Sequence, residues 1–391
     1  MTVRTPRIIT GQQLGVGWTP ALAVVKALQA LALARGLGGE ALYWLADEDH
    51  DRLEAASTVG FQGERLVRHR FRFEAPEGTA TGWLPWTEAH QREAEALWGP
   101  LPAPDRPTLR DHVLALGRPL RQRGLAFVSP LEPTLRGPAD ATLRAWRDLD
   151  LERDLEAQAQ RLEATGETLP LDPRTQAAWF TLDPATGLRR RLERGQPCPE
   201  GHWLSPGAAL RPLLQSLLFA PTHAVLGPSE RAYWRLVEPL WARVGLEAPE
   251  IVPRTTVHLL PKGLNLSPSQ LEALRAGFWE AFADAPSALP SRALVGLQPD
   301  PSWGPEVGAR FRNALVQARH RLLALDRRVH RDLAARTVGQ DPERLRQRLF
   351  PFGKPAERVL PGWTWLRRAD LLEALLEGLS GGPSLLLLEE P

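Results

Sequence analysis

The strongest local group of residues for acid–base chemistry is the run Glu48, Asp49, His50 and Asp51. An imidazole exchanges a proton near neutral pH, and flanking carboxylates tune its pKa. The sequence therefore offers His50, with Asp49 and Asp51, as a proton-transfer group for an amine or a carboxylate. One alternative is a hard divalent ion held by the carboxylates, and another is a solvated loop, since charge clusters are common at strand ends. The ligand spacing is not diagnostic of a metal, so no metal site is predicted.

A second polar group is formed by Thr10, Gly11, Gln12 and Gln13, directly after a short β-branched run. Gly11, with Gly15 and Gly17, would permit tight turns and close approach of a ligand to the backbone. The hydroxyl and amide groups could bind a sugar, a ribose or a carboxylate, and the alternative is that they only form a turn. A helix is predicted to follow, and the free N–H groups at its start favour an anion. The glycine spacing does not match the dinucleotide pattern G-x-G-x-x-G, so an NAD site is not predicted.

The predicted helix has clear start and stop signals. Thr19 is a good N-cap, Pro20 suits the first helical position, and Gly36 is a plausible end. Lys26 lies along this helix, where an ion pair is the simpler expectation than a phosphate contact. The apolar run at 41–46 then predicts a strand that ends in the acidic cluster. Because ligands sit beyond the carboxyl ends of parallel strands, both polar groups are expected to share one pocket.

Further candidate residues come from the region after residue 203. Arg211 could form a bidentate contact with a carboxylate, or a structural salt bridge. Arg254, at a predicted strand end, could meet a phosphate or a carboxylate. The aromatic and acidic residues of the next predicted helix could line a crevice or pack beneath it. The substrate-binding candidates of this region are Ser205, Arg211, Gly227, Glu230, Tyr233, Trp234 and Arg254.

Strands are predicted near residues 7, 41, 125, 222 and 250, and helices alternate with them. This order is typical of the α/β class with a Rossmann-like, doubly wound parallel sheet. Helices are predicted near Leu109–Arg123 and at about Ala139–Ala164, and another opens at Ser205-Pro206. Short alternating segments predict small β-rich insertions, with a hairpin turn at Asp183–Gly187.

We therefore divide the chain into a core, two insertions and a helical arm. A stripe of apolar residues in the arm predicts a helical hairpin or short coiled coil, through Leu315, Leu322, Leu325 and Val329. His320 and His330 are expected at its surface. The predicted boundaries are 1–60, 108–166 and 204–258 for the core, 61–107 and 167–203 for the insertions, 259–350 for the arm and 351–391 for a C-terminal segment that returns to the core. Within that segment, a last strand on the core is predicted at Leu385–Leu388.

Composition narrows the classes of protein. Of 391 residues, 43% are apolar, and the net charge is only +2 with both signs interspersed, so a nucleic-acid partner is not expected. No apolar run reaches membrane-spanning length, and the N-terminus lacks the apolar core of a signal peptide. The single cysteine, Cys198, agrees with a reducing compartment and is expected to be an incidental thiol. A cytoplasmic location is the default expectation.

Several motifs resemble those of the bacillithiol synthase family, the cysteine-adding enzymes. They are TGQQ at Thr10–Gln13, EDHD at Glu48–Asp51, LSP with LRP at 204–212, GP-x-E-x-x-YW at 227–234, VPR at 252–254 and P-x-ERV at 355–359. Leu226 stands where the family has the first glycine of its GGP pattern. The resemblance implies a class I aminoacyl-tRNA synthetase-like core with a coiled-coil arm, through which the chain would form a homodimer.

The resemblance also implies a function. The chain would be a ligase that adds L-cysteine to glucosaminyl malate in the last step of bacillithiol biosynthesis. His50, Asp49 and Asp51 would be catalytic, and the substrate-binding residues would be those named above, together with Thr10–Gln13 and Glu48. ATP or another adenine nucleotide could be a cosubstrate, although the HIGH and KMSKS signatures are absent. The alternatives are another nucleotidyl-transfer enzyme on the same fold and a non-catalytic assembly protein that uses the helical arm.

Overall fold

The computed structural model divides the chain into two compact units, each described here by itself. One unit comprises residues 5–257 with 357–389, and the other lies between residues 258 and 356. The structure describes residues 5–63, 65–167, 169–264, 268–276, 297–300, 302–304, 306–308, 310–318, 321–322, 325 and 342–389.

The strands of the described chain are β1 (Arg7–Gln12), β2 (Glu40–Leu45), β3 (Ser57–Gln62), β4 (Arg65–Arg70), β5 (Leu125–Val128), β6 (Trp179–Leu182), β7 (Arg189–Arg191), β8 (Trp203–Pro206), β9 (His223–Leu226), β10 (Glu250–Pro253), β11 (Thr256–Leu260) and β12 (Leu385–Glu389). Within this part of the chain, five of them form a parallel sheet in the order β10-β9-β1-β2-β5. The two halves of the sheet diverge from β1, as in the Rossmann strand order. The prediction of a Rossmann-like, doubly wound α/β sheet is confirmed, and its strands lie where the sequence placed them.

The helices of the described chain are α1 (Leu22–Leu37), α2 (Arg52–Ala56), α3 (Glu88–Trp98), α4 (Leu109–Leu116), α5 (Arg118–Arg121), α6 (Pro133–Asp148), α7 (Leu151–Ala164), α8 (Arg211–Phe219), α9 (Pro228–Val237), α10 (Leu240–Arg243), α11 (Pro268–Ala276), α12 (Pro342–Leu349), α13 (Trp363–Leu366) and α14 (Ala369–Gly378). Short 3₁₀ helices lie at Val16–Trp18, Thr81–Trp83, Pro351–Gly353 and Ala356–Arg358. None of the helices described here is long and apolar enough to cross a bilayer.

The middle of the sheet is buried on both faces, as parallel sheets usually are. Ile8 and Ile9 of β1 and Ala224 of β9 are almost fully covered. Helix α1 packs against β1 and β2 and is buried along most of its length, including the charged residue Lys26. This covered centre fixes the carboxyl ends of β1, β2 and β9 relative to one another.

Helix α1 starts later and ends later than its sequence signals predict. The chain first makes a 3₁₀ turn, and the Thr19 hydroxyl donates to the carbonyl of Val16 at 2.8 Å instead of capping α1. The N–H of Ala21, at the helix start, donates to the carbonyl of Leu360 at 2.7 Å. The helix ends at Gly38, whose φ of 63° is the left-handed conformation that glycine adopts easily. The expected anion site at the start of α1 is therefore not where the sequence placed it.

Two other predicted helices have different boundaries. The helix expected over Ala139–Ala164 is broken into α6 and α7, because Asp150 has a left-handed φ of 53°. The helix expected to open at Ser205-Pro206 begins only at Arg211. Ser205 instead lies in β8, opposite Phe180 of β6, so sheet pairing overrides the local helix-start signal.

Antiparallel strands lie within or beside the two predicted insertions. Strand β3 pairs with β4, and β6 pairs with β7 across the turn at Asp183–Gly187. Strand β12 forms where a last strand was expected, but it is not part of the five-stranded sheet. Of the predicted arm stripe, Leu325 is 46% exposed, while Val329, His320 and His330 lie outside the described residues.

Candidate active site

A cavity of about 560 Å³ opens beyond the carboxyl ends of the central strands. It receives Gln12 from the end of β1, Asp49 and Asp51 from the loop after β2, Gly227 after β9, and Arg254 after β10. Four strand ends thus contribute to one pocket, which is where open α/β sheets bind ligands.

Most of the residues that the sequence selected line this cavity. They are Thr10, Gly11, Gln12, Gln13, Asp49, Asp51, Arg211, Gly227, Glu230, Tyr233, Trp234 and Arg254. His50, Glu48 and Ser205 are not among the lining residues. The expectation that the imidazole and the glutamine pair face a common cavity is therefore not met, and the contacts of these three residues give the reason.

His50 is engaged by an arginine from the second insertion. Arg189 Nη1 lies 3.1 Å from His50 Nδ1, and the His50 ring packs 5.3 Å from that of Phe180. Burial, followed by the charge of Arg189, lowers the pKa of His50. A guanidinium can only donate, so Nδ1 must accept, and the proton of the neutral ring lies on Nε2.

Glu48 and Ser205 belong to the same buried network. The Ser205 hydroxyl donates to Glu48 Oε2 at 3.0 Å and accepts from Arg189 Nε at 3.0 Å. Arg136 Nη2 lies 3.4 Å from Glu48 Oε2, and both side chains are fully buried. A buried carboxylate needs such partners, which explains why these groups are turned away from the cavity.

Asp49 and Arg211 form an ion pair on the cavity wall, with Arg211 Nη2 donating to Asp49 Oδ2 at 2.6 Å. Burial acts to raise the pKa of the Asp49 carboxyl, but Arg211 and Arg189 outweigh it and hold that pKa well below its usual range. Both groups are therefore charged at neutral pH. The alternative of a structural salt bridge for Arg211 is realised, although the residue also lines the cavity.

The hydrogen-bond partners of Gln12 and Gln13 fix the orientation of each side-chain amide. Lys26 Nζ donates to Gln12 Oε1 at 3.2 Å, and Gln13 Nε2 donates to the carbonyl of Asp51 at 3.0 Å. An ammonium can only donate and a carbonyl can only accept, so neither amide can be turned round without losing its bond. The remaining hydrogen-bonding ends are therefore the NH₂ of Gln12 and the carbonyl oxygen of Gln13.

Thr10 and Gly11 serve the sheet as well as the cavity wall. The Thr10 hydroxyl donates to the carbonyl of Val225 at 2.9 Å and so ties β1 to β9. A Cβ on Gly11 would lie 2.5 Å from the carbonyl oxygen of Trp44. Gly11 is thus required by the neighbouring strand, whereas the sequence suggested close approach by a ligand.

An ion pair joins Lys26, a buried residue of α1, to Glu230 at the start of α9. Lys26 Nζ lies 2.7 Å from Glu230 Oε1 and also contacts the carbonyl of Gly11. Glu230 in turn accepts from the N–H of Gly227 at 2.8 Å. The predicted ion pair for Lys26 is confirmed, and Glu230 is held as its partner at the base of the cavity.

Arg254 forms a second buried pair, 2.8 Å from Glu357, which comes from the ERV segment. The next residue, Arg358, is exposed and lines the cavity. No hydrogen bond or ion pair is recorded for Arg358 within the part of the chain that the structure describes. Arg358 therefore brings a positive charge to the cavity that is available to a ligand.

The polar lining residues that the sequence did not select as site residues are Glu54, Gln176, Gln215, Ser229 and Arg358. Glu54 had a usable signal, because Asp51 caps α2 by accepting from the N–H of Glu54 at 2.9 Å. Loss of hydration, and then the charge of Asp51, raises the pKa of the Glu54 carboxyl. The two glutamines carry no local signal.

The wall carries charges of both signs. Asp51 and Glu54 lie together on α2 and its cap, and Arg358 brings a cation. The carboxylates of Asp49 and Glu230 also line the cavity, each paired with a cation. The Tyr233 phenol stays protonated, because burial, followed by the Glu230 charge, raises its pKa. Such a wall suits a ligand that has both an ammonium and carboxylates. Among the described residues, no group of three or more His, Cys, Asp or Glu side chains is arranged to hold a metal.

Comparison with known proteins finds relatives over nearly the full length of the chain. A protein of Thermus thermophilus named "Putative cysteine ligase BshC" is 28% identical over 95% of this chain and 85% of its own. A protein of the same name from Heliobacterium modesticaldum is 27% identical over 95% of this chain and 80% of its own. No family model matches the chain.

Among solved structures, a glutamate-tRNA synthetase from Elizabethkingia anophelis matches 70% of this chain and 54% of its own, with 14% identity and a TM-score of 0.30. A TM-score of this size does not establish a shared fold. The sequence relatives, by contrast, are named as cysteine ligases, in agreement with the cysteine-adding family that the motifs resemble, and their matches extend over 95% of the chain. The resemblance of this chain to the bacillithiol synthase family is thereby confirmed.

Proposed function

We propose that the chain is a ligase that forms an amide bond between L-cysteine and glucosaminyl malate, as the last step of bacillithiol biosynthesis. The names of these relatives support a cysteine ligase. The observation that carries the proposal to this chain is the cavity whose wall presents the carboxylates of Asp51 and Glu54 together with the guanidinium of Arg358.

The chemistry of the substrates fits this wall. Glucosaminyl malate has an amine and two carboxylates, and its amine must lose a proton before it attacks a carboxyl carbon. Asp51 and Glu54 would hold the ammonium, and the raised pKa of Glu54 suits it to accept the proton. Asp49 is less suited to this role, because its pKa is held low by Arg211.

The malate carboxylates would lie beside Arg358, which offers a guanidinium to them. The NH₂ of Gln12 would donate to the same oxygens. Arg211 would orient Asp49 and the loop that carries Asp51.

The proposal is tested with purified protein, L-cysteine and glucosaminyl malate, with product detected by mass spectrometry. The assay is run with and without ATP, because a free carboxylate forms an amide in water only after activation. Formation of bacillithiol supports the proposal. No bacillithiol under either condition, or pyrophosphate release without a thiol product, would contradict it.

A matched pair of variants tests the site. Arg358→Gln is expected to raise KM for glucosaminyl malate about 10-fold with little change in kcat. This factor corresponds to the lower end of the range of free energies for a hydrogen bond to a charged group. Arg235→Gln removes an exposed arginine of α9 that pairs with Glu167 and is expected to leave KM unchanged. Equal effects of the two variants would contradict the placement of the malate.

The proposal includes a cytoplasmic enzyme and a homodimer that forms through the helical arm. Sedimentation of the full chain, compared with a variant that has charge reversals across Leu315–Val329, tests the dimer. A monomeric wild-type protein would contradict that part of the proposal.

A further inference from the structure

Arg189 has an unusual position for an arginine, because it is buried under the loop that carries Asp49 and Asp51. It comes from β7 in the second insertion, and its guanidinium stacks 3.8 Å from the centre of the Phe180 ring. Its three nitrogens all have partners: Nε contacts Ser205 Oγ at 3.0 Å, Nη1 contacts His50 Nδ1 at 3.1 Å and Nη2 contacts the carbonyl of Pro206 at 2.7 Å.

These contacts determine which nitrogen of the His50 imidazole carries the proton. Burial lowers the pKa of Arg189 only to about 10, so the group remains a cation at neutral pH. The charged and titratable groups around His50 are Arg189, Arg211, Asp49 and Asp51. With Nδ1 used as an acceptor, the neutral ring keeps its proton on Nε2 and has no free lone pair with which to accept another.

We infer that Arg189 and His50 are positioning residues that tether the loop between β2 and α2 to the second insertion, and that His50 is not the proton acceptor of the reaction. The part of this inference that concerns the reaction rests on the proposed ligase function. The loop is also held by the segment that pairs with residues 187–189, since the N–H of Thr81 donates to the carbonyl of Asp49 at 2.6 Å. The tether through His50 then sets where the carboxylates of Asp49 and Asp51 meet the cavity.

Two substitutions at His50 separate a tether from a base. In His50→Asn the side-chain carbonyl takes the place of Nδ1 and can still accept from Arg189, whereas His50→Ala removes the acceptor. A tether predicts that His50→Asn keeps kcat within about 5-fold of wild type and that His50→Ala loses at least about 10-fold. A general base predicts that both variants lose on the order of 10²–10⁴-fold, and this outcome would overturn the inference.

A second measurement does not depend on activity. Nitrogen chemical shifts of ¹⁵N-histidine in the full chain report which ring nitrogen carries the proton, and His50→Asn identifies the His50 signals. We expect the Nε2–H tautomer in the wild type, and a mixture of tautomers in Arg189→Met. A wild-type Nδ1–H tautomer overturns the tether even where Arg189→Met does not fold.

Arg190→Met is the control for this spectrum. Arg190 is the neighbour of Arg189 on β7, but its side chain is exposed. We expect its His50 signals to match those of the wild type. Wild-type protein that makes no bacillithiol would contradict the proposed function alone, while the nitrogen shifts would still decide whether the tether exists.

Discussion

Replacement of Lys26 by methionine tests the buried ion pair at the base of the cavity. The Lys26 side chain is 0% exposed, and its ammonium is held by Glu230, Gln12 and the carbonyl of Gly11. Methionine fills a similar volume without a charge. The substitution therefore leaves the Glu230 carboxylate without its cation and frees the Gln12 amide to rotate.

The expected loss of stability follows from the exposure of the partner. Removal of one member of a buried pair costs about 3–5 kcal/mol, because the other charge is left without compensation. The Glu230 side chain is 26% exposed and keeps its bond to the N–H of Gly227. Water can therefore reach part of the carboxylate, and we expect a loss of about 3 kcal/mol, at the lower end of that range.

Urea unfolding at neutral pH measures the free energy of unfolding for Lys26→Met, Glu230→Gln and the double variant. The double variant is expected to be more stable than Lys26→Met, because no unpaired charge remains. The exposed Lys262 supplies the control, for which Lys262→Met is expected to change stability by less than about 0.5 kcal/mol. A loss below about 1 kcal/mol for Lys26→Met, or strict additivity in the double variant, would refute the reasoning.

Three other predictions concern the buried residue Asp47, in the loop after β2, and two residues that line the cavity. Burial raises the pKa of Asp47 to about 7, so the stability that its protonated form contributes is present below the pKa of the unfolded chain and is lost as pH rises toward 7. The free energy of unfolding in urea should therefore depend less on pH in Asp47→Asn than in the wild type, and an unchanged pH dependence would contradict this. Gln12→Glu keeps the bond to Lys26 but replaces the donor NH₂ by an oxygen. Titration calorimetry with glucosaminyl malate should therefore show an affinity at least about 10-fold weaker than that of the wild type. An unchanged affinity would show that the malate binds elsewhere. Gly11→Ala puts a Cβ 2.5 Å from the carbonyl oxygen of Trp44, so thermal unfolding should occur at a lower temperature, and an unchanged midpoint would show that the strands can separate there.

The sheet could be predicted because its signals are local. Each strand of the parallel sheet is a short apolar run bounded by turn residues, and the β-α-β order leaves few topologies. The clustering of Gln12, Asp49, Gly227 and Arg254 at one edge then follows from strand direction alone. This part of the site could be predicted without knowledge of any side-chain contact.

The orientation of His50 could not be predicted, because its partner lies far away in the sequence. Arg189 is 139 residues later and belongs to an insertion whose packing the β-α-β pattern does not describe. The same holds for Ser205, whose helix-start signal was overridden by pairing with β6. Thr19 was a good N-cap by type, but the tertiary contact between Ala21 and Leu360 fixes the helix start instead.

Glycine illustrates the same limit within the shared motif. Gly11 was singled out for its freedom to approach a ligand, yet the atom that occupies its Cβ position is the carbonyl oxygen of Trp44. A glycine in a sequence marks a position that a side chain cannot occupy. The sequence does not say whether a neighbouring strand or a ligand takes that space.

The central claim is that the cavity at the sheet's carboxyl edge binds the substrates, and a crystal structure of the protein with glucosaminyl malate tests it most directly. We expect the malate carboxylates within hydrogen-bonding distance of Arg358 and Gln12, with the amine beside Asp51 or Glu54. Glucosaminyl malate bound at another place, with this cavity free of it, would contradict the account.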